Sequence, residues 1–301
     1  MTIPDALRVQ TASRPAAAHR SGAAALLRAV RIVHPFPTIL NALATAGLAV
    51  MAVRGTPEAS TLLRMVVVML CAQCAIGVAN DYFDRDLDAV AKPWKPIAAG
   101  LVPTRVAAVL ALGLTAAAAV VALTLGAASF ALAMLGLGCG LAYDARLKRT
   151  LFSAVPFMVA IPTLPLWVWL TMGVWQPVCW WLLPLGALIG FALHLANTLP
   201  DIESDSAHGV AGLAHRIGAQ WSMRLAWGAF AAALALSGML ALFVKYDVRW
   251  YVPTIVFGVG ALAVSITGAL LRRDEFGLQF GFGVLSLASV VLAVGWLAAV
   301  T

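Results

Sequence analysis

Charge is the scarcest commodity in this 301-residue chain. Asp, Glu, Lys and Arg together make up only 11% of it. A soluble globular domain carries about 25%, so an ordinary water-solvated surface is excluded. Acids are fewer than bases, 13 against 20, for a net charge of +7. Cysteine is nearly absent too. Cys71 and Cys74 form a C-x-x-C, but it sits inside an apolar run with no second pair nearby. That excludes a paired-cysteine zinc site and leaves these thiols as small packing residues. Strict apolar/polar alternation is also missing, which argues against strands. No apolar core of a cleavable signal precedes Arg28, and residues 1–22 are expected to form a flexible cytosolic tail.

What the chain has instead is apolar length. Hydrophobic residues make up 62% of it. They gather in runs of bilayer-spanning length, about 20 residues each. In lipid only helices and closed barrels satisfy the backbone, and continuous runs mean helices. Nine spans are expected, at 32–53, 62–80, 104–125, 128–142, 153–173, 179–199, 220–244, 250–271 and 277–300. The fold class is therefore all-α, a polytopic membrane protein with one domain over 23–301. The third and fourth spans should form a tight hairpin at Gly126. Pro156, Pro162 and Pro165 should irregularise the fifth. Trp167, Trp169, Trp175, Trp180 and Trp181 resemble an interfacial belt.

The few charges are not scattered. With the N-terminus inside, 16 of the 20 basic residues fall on inner segments and four (Arg54, Arg64, Lys245, Arg249) on outer ones. The positive-inside rule then places the N-terminus in the cytosol and, with nine spans, the C-terminus outside. Basic residues at helix ends on one side account for the net charge, so no nucleic-acid partner is expected; the lipid bilayer is. Abundant Ala and Arg with little Lys point to a high-GC bacterium, and so to its inner membrane.

The acids concentrate in two places. Asn80, Asp84 and Asp88 stand at i, i+4 and i+8, with Asp81 and Asp86 among them. On a helix they share one face over about two turns. The pattern returns 117 positions later as Asn197, Asp201 and Asp205, with Glu203 between. Both copies close an apolar segment and lead into glycine and basic residues. Crowded carboxylates at a membrane edge are costly unless a cation holds them. Oxygen-only ligands suit Mg²⁺ better than zinc or copper. Two facing acidic sites fit two metal ions around one diphosphate.

A third inner loop reads Tyr143-Asp144-Ala145-Arg146-Leu147-Lys148-Arg149. Cations beside two metal-holding loops fit an anion that bridges them. Lys92 and Lys95 can serve the same anion, although the topology signal alone would also place these bases here.

With these residues in place, the chain resembles the UbiA-type integral-membrane prenyltransferases. The family motif NDxxDxxxD is intact as Asn80-Asp81-x-x-Asp84-x-x-x-Asp88, followed by the basic-proline segment Lys92-Pro93-x-Lys95-Pro96 and Gly100. Asp201-x-x-x-Asp205 matches the second motif, and Tyr143 with Lys148 the loop between. Where the family commonly has a cation after the second motif, this chain has His208, with Arg216 further on.

The resemblance implies nine helices around a cavity and a Mg²⁺-dependent transfer, with Mn²⁺ able to substitute. A prenyl group moves from an allylic prenyl diphosphate donor to an aromatic or other lipophilic acceptor. Asp81, Asp84, Asp88, Asp201 and Asp205 would be catalytic, and with Asn80 and Asn197 would hold the metal. Lys92, Lys95, Tyr143, Lys148 and Arg149 would bind diphosphate. Arg31, His34, Asn41 and His194 are the candidates beside the acceptor. Two competing readings share some of these features. A membrane terpene cyclase or diphosphate lyase keeps the ionisation step and drops the acceptor. A transporter would place its acids at mid-membrane rather than at helix ends on one side.

Overall fold

The computed structural model describes residues 28–199, 202, 211–271 and 275–300. Among these residues every regular element is helical. After a single 3-10 turn at Val30–Val33 come α1 (Pro35–Val53), α2 (Ala59–Phe83), the short α3 (Arg85–Ala91), α4 (Thr104–Leu123) and α5 (Ala127–Ala145). Then follow α6 (Val155–Thr171), α7 (Leu182–Thr198), α8 (Leu213–Leu240), α9 (Val248–Leu271) and α10 (Glu275–Val300). Among the described residues eight helical segments are long and apolar enough to cross a membrane, α7 being one once the 3-10 stretch Pro177–Trp181 ahead of it is counted, and α6, with 17 residues, is a shorter apolar helix. Such a set of helices marks an integral membrane protein.

Local sequence explains where the helices start and stop. Pro35 opens α1, where its missing N–H costs nothing. The Glu58 carboxylate caps α2, accepting from the backbone N–H of Ser60 at 2.9 Å and of Thr61 at 2.6 Å. Gly126, at φ +100°, turns α4 into α5, which gives the expected tight hairpin. At Gly218, φ +78° breaks the helical path within α8 and separates its first turn from the long apolar stretch.

Pro162 and Pro165 lie inside α6, yet the helix runs through them. Its neighbour α7 contributes the reason for the close fit. A Cβ on Gly186 would lie 2.7 Å from Pro162 Cβ, and one on Gly190 would lie 2.4 Å from the Phe157 carbonyl oxygen. The G-x-x-x-G pair therefore seats α7 directly on the α6 backbone.

The tryptophans divide differently from a simple belt. Trp180 and Trp181 are exposed, as belt residues should be. Trp167 and Trp169 are buried in a cluster with Leu166, Leu182, Leu240 and Trp296. They belong to the core because α6 is flanked by α1, α5 and α7, so that residues 166–169 are all buried, and the indole N–H of Trp167 donates to Ser129 Oγ at 2.8 Å.

The polarity of the two ends is distinct. At one end, Arg54 and Arg249 line a common groove with Asp247. At the other end the C-terminal ends of α2, α5 and α7 meet α3, the start of α6 and the start of α8. The candidate site lies there.

Candidate active site

The first acidic motif straddles a break rather than one straight helix. α2 ends at Phe83, Asp84 (φ −94°, ψ 3°) is the joint, and α3 begins at Arg85. The i, i+4 spacing survives, because the Asp84 N–H donates to Asn80 O at 3.0 Å and the Asp88 N–H to Asp84 O at 2.7 Å. Asn80, Asp84 and Asp88 thus still converge on one side.

The carboxylates are buried and paired with lysines. Asp81, Asp84, Asp88 and Asp144 are each at most 9% exposed. Lys95 Nζ lies 2.9 Å from Asp81 Oδ1, 2.8 Å from Asp88 Oδ2 and 3.3 Å from Asn80 Oδ1. Lys148 Nζ lies 2.5 Å from Asp84 Oδ2 and 3.4 Å from Asp144 Oδ1. Arg149 Nη2 adds a 3.2 Å contact to Asp84 Oδ1, and His34 Nε2 lies 3.0 Å from Asp81 Oδ1. The Asn80 amide ties two acids together, donating to Asp84 at 3.3 Å and to Asp144 at 2.8 Å. Burial alone would lower the Lys95 ammonium. Its bonds to Asp88 and Asp81 outweigh that and hold it above the usual lysine value, so Lys95 stays charged.

Two cavities open from this cluster. The first, about 490 Å³, is largely apolar and reaches from Asn80, Tyr143 and Asp144 down to Leu164 and Trp167. The second, about 320 Å³, is lined by Asp84, Asp88, Lys92, Lys95 and Lys148. Asn80 and Tyr143 line both. A charged chamber and an apolar one meeting at two shared side chains suit an amphiphile with an anionic head and a hydrocarbon tail.

The expected residues fall into place unevenly. Asn80, Asp81, Asp84, Asp88, Lys95, Lys148 and Arg149 form the cluster. Lys92 is exposed at the rim of the charged chamber. His34 and Asn41 line the apolar cavity. His194 is buried and faces the charged chamber, with Nε2 2.9 Å from Ser153 Oγ. Arg31 and Asn197 are exposed and are not among the residues that line either cavity. Asp201, Glu203, Asp205 and His208 lie outside the described residues. Arg216 is turned to its own backbone, its Nε donating to Ala211 O at 3.0 Å.

Two residues escaped the sequence reading of the site. Asp144 is the fourth buried acid, and its i, i+4 spacing to Lys148 was a usable signal. Ser153 left no sequence signal. Its hydroxyl meets His194 and accepts the Leu213 N–H at 3.0 Å, so it joins the starts of α6 and α8 to α7.

A divalent metal was expected here. No group of three His, Cys, Asp or Glu side chains among the described residues is arranged to hold one. The donor chemistry nevertheless fits. Asn80, Asp84 and Asp88 offer oxygen ligands to one chamber, and Asp81 Oδ2 is buried with no hydrogen-bond partner.

Comparison with known proteins gives this geometry a context. The model of the UbiA prenyltransferase family matches residues 40–282. A digeranylgeranylglyceryl phosphate synthase of Methanoregula boonei is 31% identical over 250 residues, spanning 80% of this chain and 84% of that one. The bacteriochlorophyll synthase 33 kDa chain of Cereibacter sphaeroides is 29% identical over 213 residues, 66% of this chain and 67% of that one. Among solved structures, a UbiA homolog from Archaeoglobus fulgidus bound to GPP and Mg²⁺ superposes with a TM-score of 0.69 at 15% identity, covering 90% of this chain and 99% of that one. With a family match over most of its length and a relative 31% identical over more than two thirds of both chains, this chain belongs to the UbiA prenyltransferase family.

Proposed function

We propose that this prenyltransferase takes an allylic prenyl diphosphate from the cytosolic face of a bacterial inner membrane and transfers the prenyl group to a lipophilic acceptor. One observation carries the reading: the charged and apolar chambers meet at Asn80 and Tyr143. The diphosphate belongs with Lys95, Lys148, Arg149 and Lys92. The reacting carbon then sits at the Asn80–Tyr143 junction, and hydrocarbon extends into the apolar chamber. The orientation rests on the 16-to-4 distribution of basic residues.

Asn80, Asp81, Asp84 and Asp88 would hold the divalent ion from this side, with Asp201 and Asp205 from the second motif. Mg²⁺, or Mn²⁺ in its place, supplies positive charge to the diphosphate. The protein's own groups do the rest. Lys148 and Arg149 exchange their contacts with Asp84 for diphosphate oxygens, and Lys95 adds a fixed positive charge. The C1–O bond breaks and its electron pair leaves on the diphosphate, where these cations stabilise the developing charge. The allylic cation forms at the mouth of the apolar chamber, whose walls keep water from capturing it. An electron pair of the acceptor then forms the new bond to C1, and the acceptor's proton departs to diphosphate or solvent.

The test is diphosphate release by purified protein from prenyl diphosphates of graded length, with and without Mg²⁺ and with and without acceptor. Metal-dependent release coupled to acceptor prenylation is the expected result. Release with no acceptor at all, giving cyclised or hydrolysed products, would replace transfer by a lyase or cyclase reaction.

A further inference from the structure

One polar side chain lines the apolar chamber with only a thioether to bond. Gln73 lies inside α2, among Ala72, Cys74 and Ala75, at a depth where lipid rather than water surrounds the protein. It lines the 490 Å³ cavity. Its one hydrogen bond among the described residues runs from Nε2 to the Met69 thioether at 3.7 Å, a weak acceptor. The Gln73 carbonyl oxygen has no partner among the described residues. An amide facing an apolar space at membrane depth is costly unless something bonds to it.

A second amide lines the same cavity further down. α1 and α2 are joined by a short turn and run antiparallel. Their register is fixed at the charged end, where His34 meets Asp81 at 3.0 Å and a Cβ on Gly77 would touch the His34 ring at 3.2 Å. Seven residues on from His34 along α1 is Asn41. Four residues back from Gly77 along α2 is Gln73. At 1.5 Å per residue Gln73 lies about 6 Å below the His34–Gly77 contact and Asn41 about 10 Å below it. Asn41 Nδ2 donates to Pro37 O at 2.9 Å, and its side-chain oxygen remains for the cavity that Asn41 also lines. The opposite wall is aromatic, with Tyr143 and Phe157 above and Trp167 below.

We propose that Gln73 and Asn41 form a polar subsite for the acceptor, which binds a hydroxyl or carbonyl on the end of the molecule remote from the attacking atom. The acceptor class is then an elongated, ring-bearing apolar molecule with an oxygen function at its far end. The hydrocarbon of such a molecule lies against Phe157 and Trp167, and its distal oxygen replaces the missing partner of the Gln73 amide. A donor tail offers no such group, so the subsite selects acceptor over donor. This assignment rests on the transferase reading for the identity of the ligand, and on the cavity alone for its chemistry.

The test uses biphenyl and para-phenylphenol as probes, two rods of one shape that differ by a terminal hydroxyl. Their dissociation constants are measured by calorimetry on the full chain in detergent, for wild type, Gln73→Met and Asn41→Leu. The preference for para-phenylphenol over biphenyl should fall about three- to tenfold in each variant, the worth of one hydrogen bond. The affinity for biphenyl should hold, and Gln73→Met should melt no lower than wild type because it removes an unpaired amide. An unchanged preference in both variants, or a lower melting temperature for Gln73→Met, would overturn the subsite. Diphosphate release from prenyl diphosphates of graded length, with Mg²⁺ and with acceptor, is followed in the same wild-type preparation. Its absence for every donor would sink the transferase reading while leaving the probe preference intact.

Discussion

Lys95 bridges Asp81 and Asp88, with Nζ 2.9 Å from Oδ1 of the first and 2.8 Å from Oδ2 of the second. One lysine thus joins the α2 end of the motif to α3 across the break at Asp84. Cations of the protein itself neutralise the acids that crowd together here. A buried carboxylate stripped of its partner would cost several kcal/mol.

The bridge has a signature in pH. The folded state raises the Lys95 pKa above 10.5, its value in the unfolded chain. The stabilisation is fully present below 10.5 and is lost as pH climbs through the higher folded value. Wild type should therefore melt above Lys95→Met at pH 8, and the gap should begin to narrow above about 10.5 and go on narrowing through the higher folded value. Thermal unfolding in detergent across that range reads it out. A gap that stays constant would show that the ammonium contributes nothing specific.

Asp84 is where the cluster is most dependent on a single side chain. It receives Lys148, Arg149 and Asn80 together. Asp84→Asn keeps the shape and removes the charge. Turnover should fall by at least about a hundredfold, the scale on which transition-state electrostatics act, while helix content by circular dichroism is retained. Asp201→Asn should do the same. Wild-type rates in both would exclude the acidic motifs from catalysis.

The fold was legible because the membrane allows so few solutions. Apolar run length located each long helix, and Gly126 located the hairpin. The site was legible where charge is expensive, as at Asp84, Asp88 and Lys148. It was less legible where tertiary pairing decides. That Lys95 would turn inward between Asp81 and Asp88 depends on how residues 92–102 fold back on α2, and sequence spacing does not report that. Trp167 and Trp169 look like belt residues by composition, but α6 is packed against α1, α5 and α7, so opposite sides of it are buried. Gln73 is one amide in a long apolar run, and only the cavity beside it gives it meaning.

Metal removal provides a separate check on the acidic motifs. Exhaustive chelation should abolish diphosphate release, and Mg²⁺ or Mn²⁺ should restore it, since both accept oxygen ligands in near-octahedral sites. Because Lys95 and Lys148 already neutralise the carboxylates, the chelated protein should melt within a few degrees of the untreated one. Full activity after chelation would be fatal to the metal account, and collapse of the fold would show the lysine pairs to be insufficient.

The α6–α7 contact sets two helix effects against each other. Replacing a helical glycine by alanine ordinarily gains up to about 1 kcal/mol of helix propensity. At Gly190 the new Cβ would stand 2.4 Å from the Phe157 carbonyl oxygen, and that oxygen is backbone and cannot swing aside. Separating the helices to relieve the clash costs about 1–3 kcal/mol, so the steric term should win and Gly190→Ala should melt lower than wild type. Phe157 also lines the apolar chamber and packs 5.0 Å from the His194 ring. The displaced helix should therefore disturb the chamber as well, raising the KM for acceptor more than that for donor. Gly228→Ala, where a Cβ would meet nothing within 4 Å, serves as the control and should melt at or above wild type. If Gly190→Ala behaves like that control, the helices are not in the contact described.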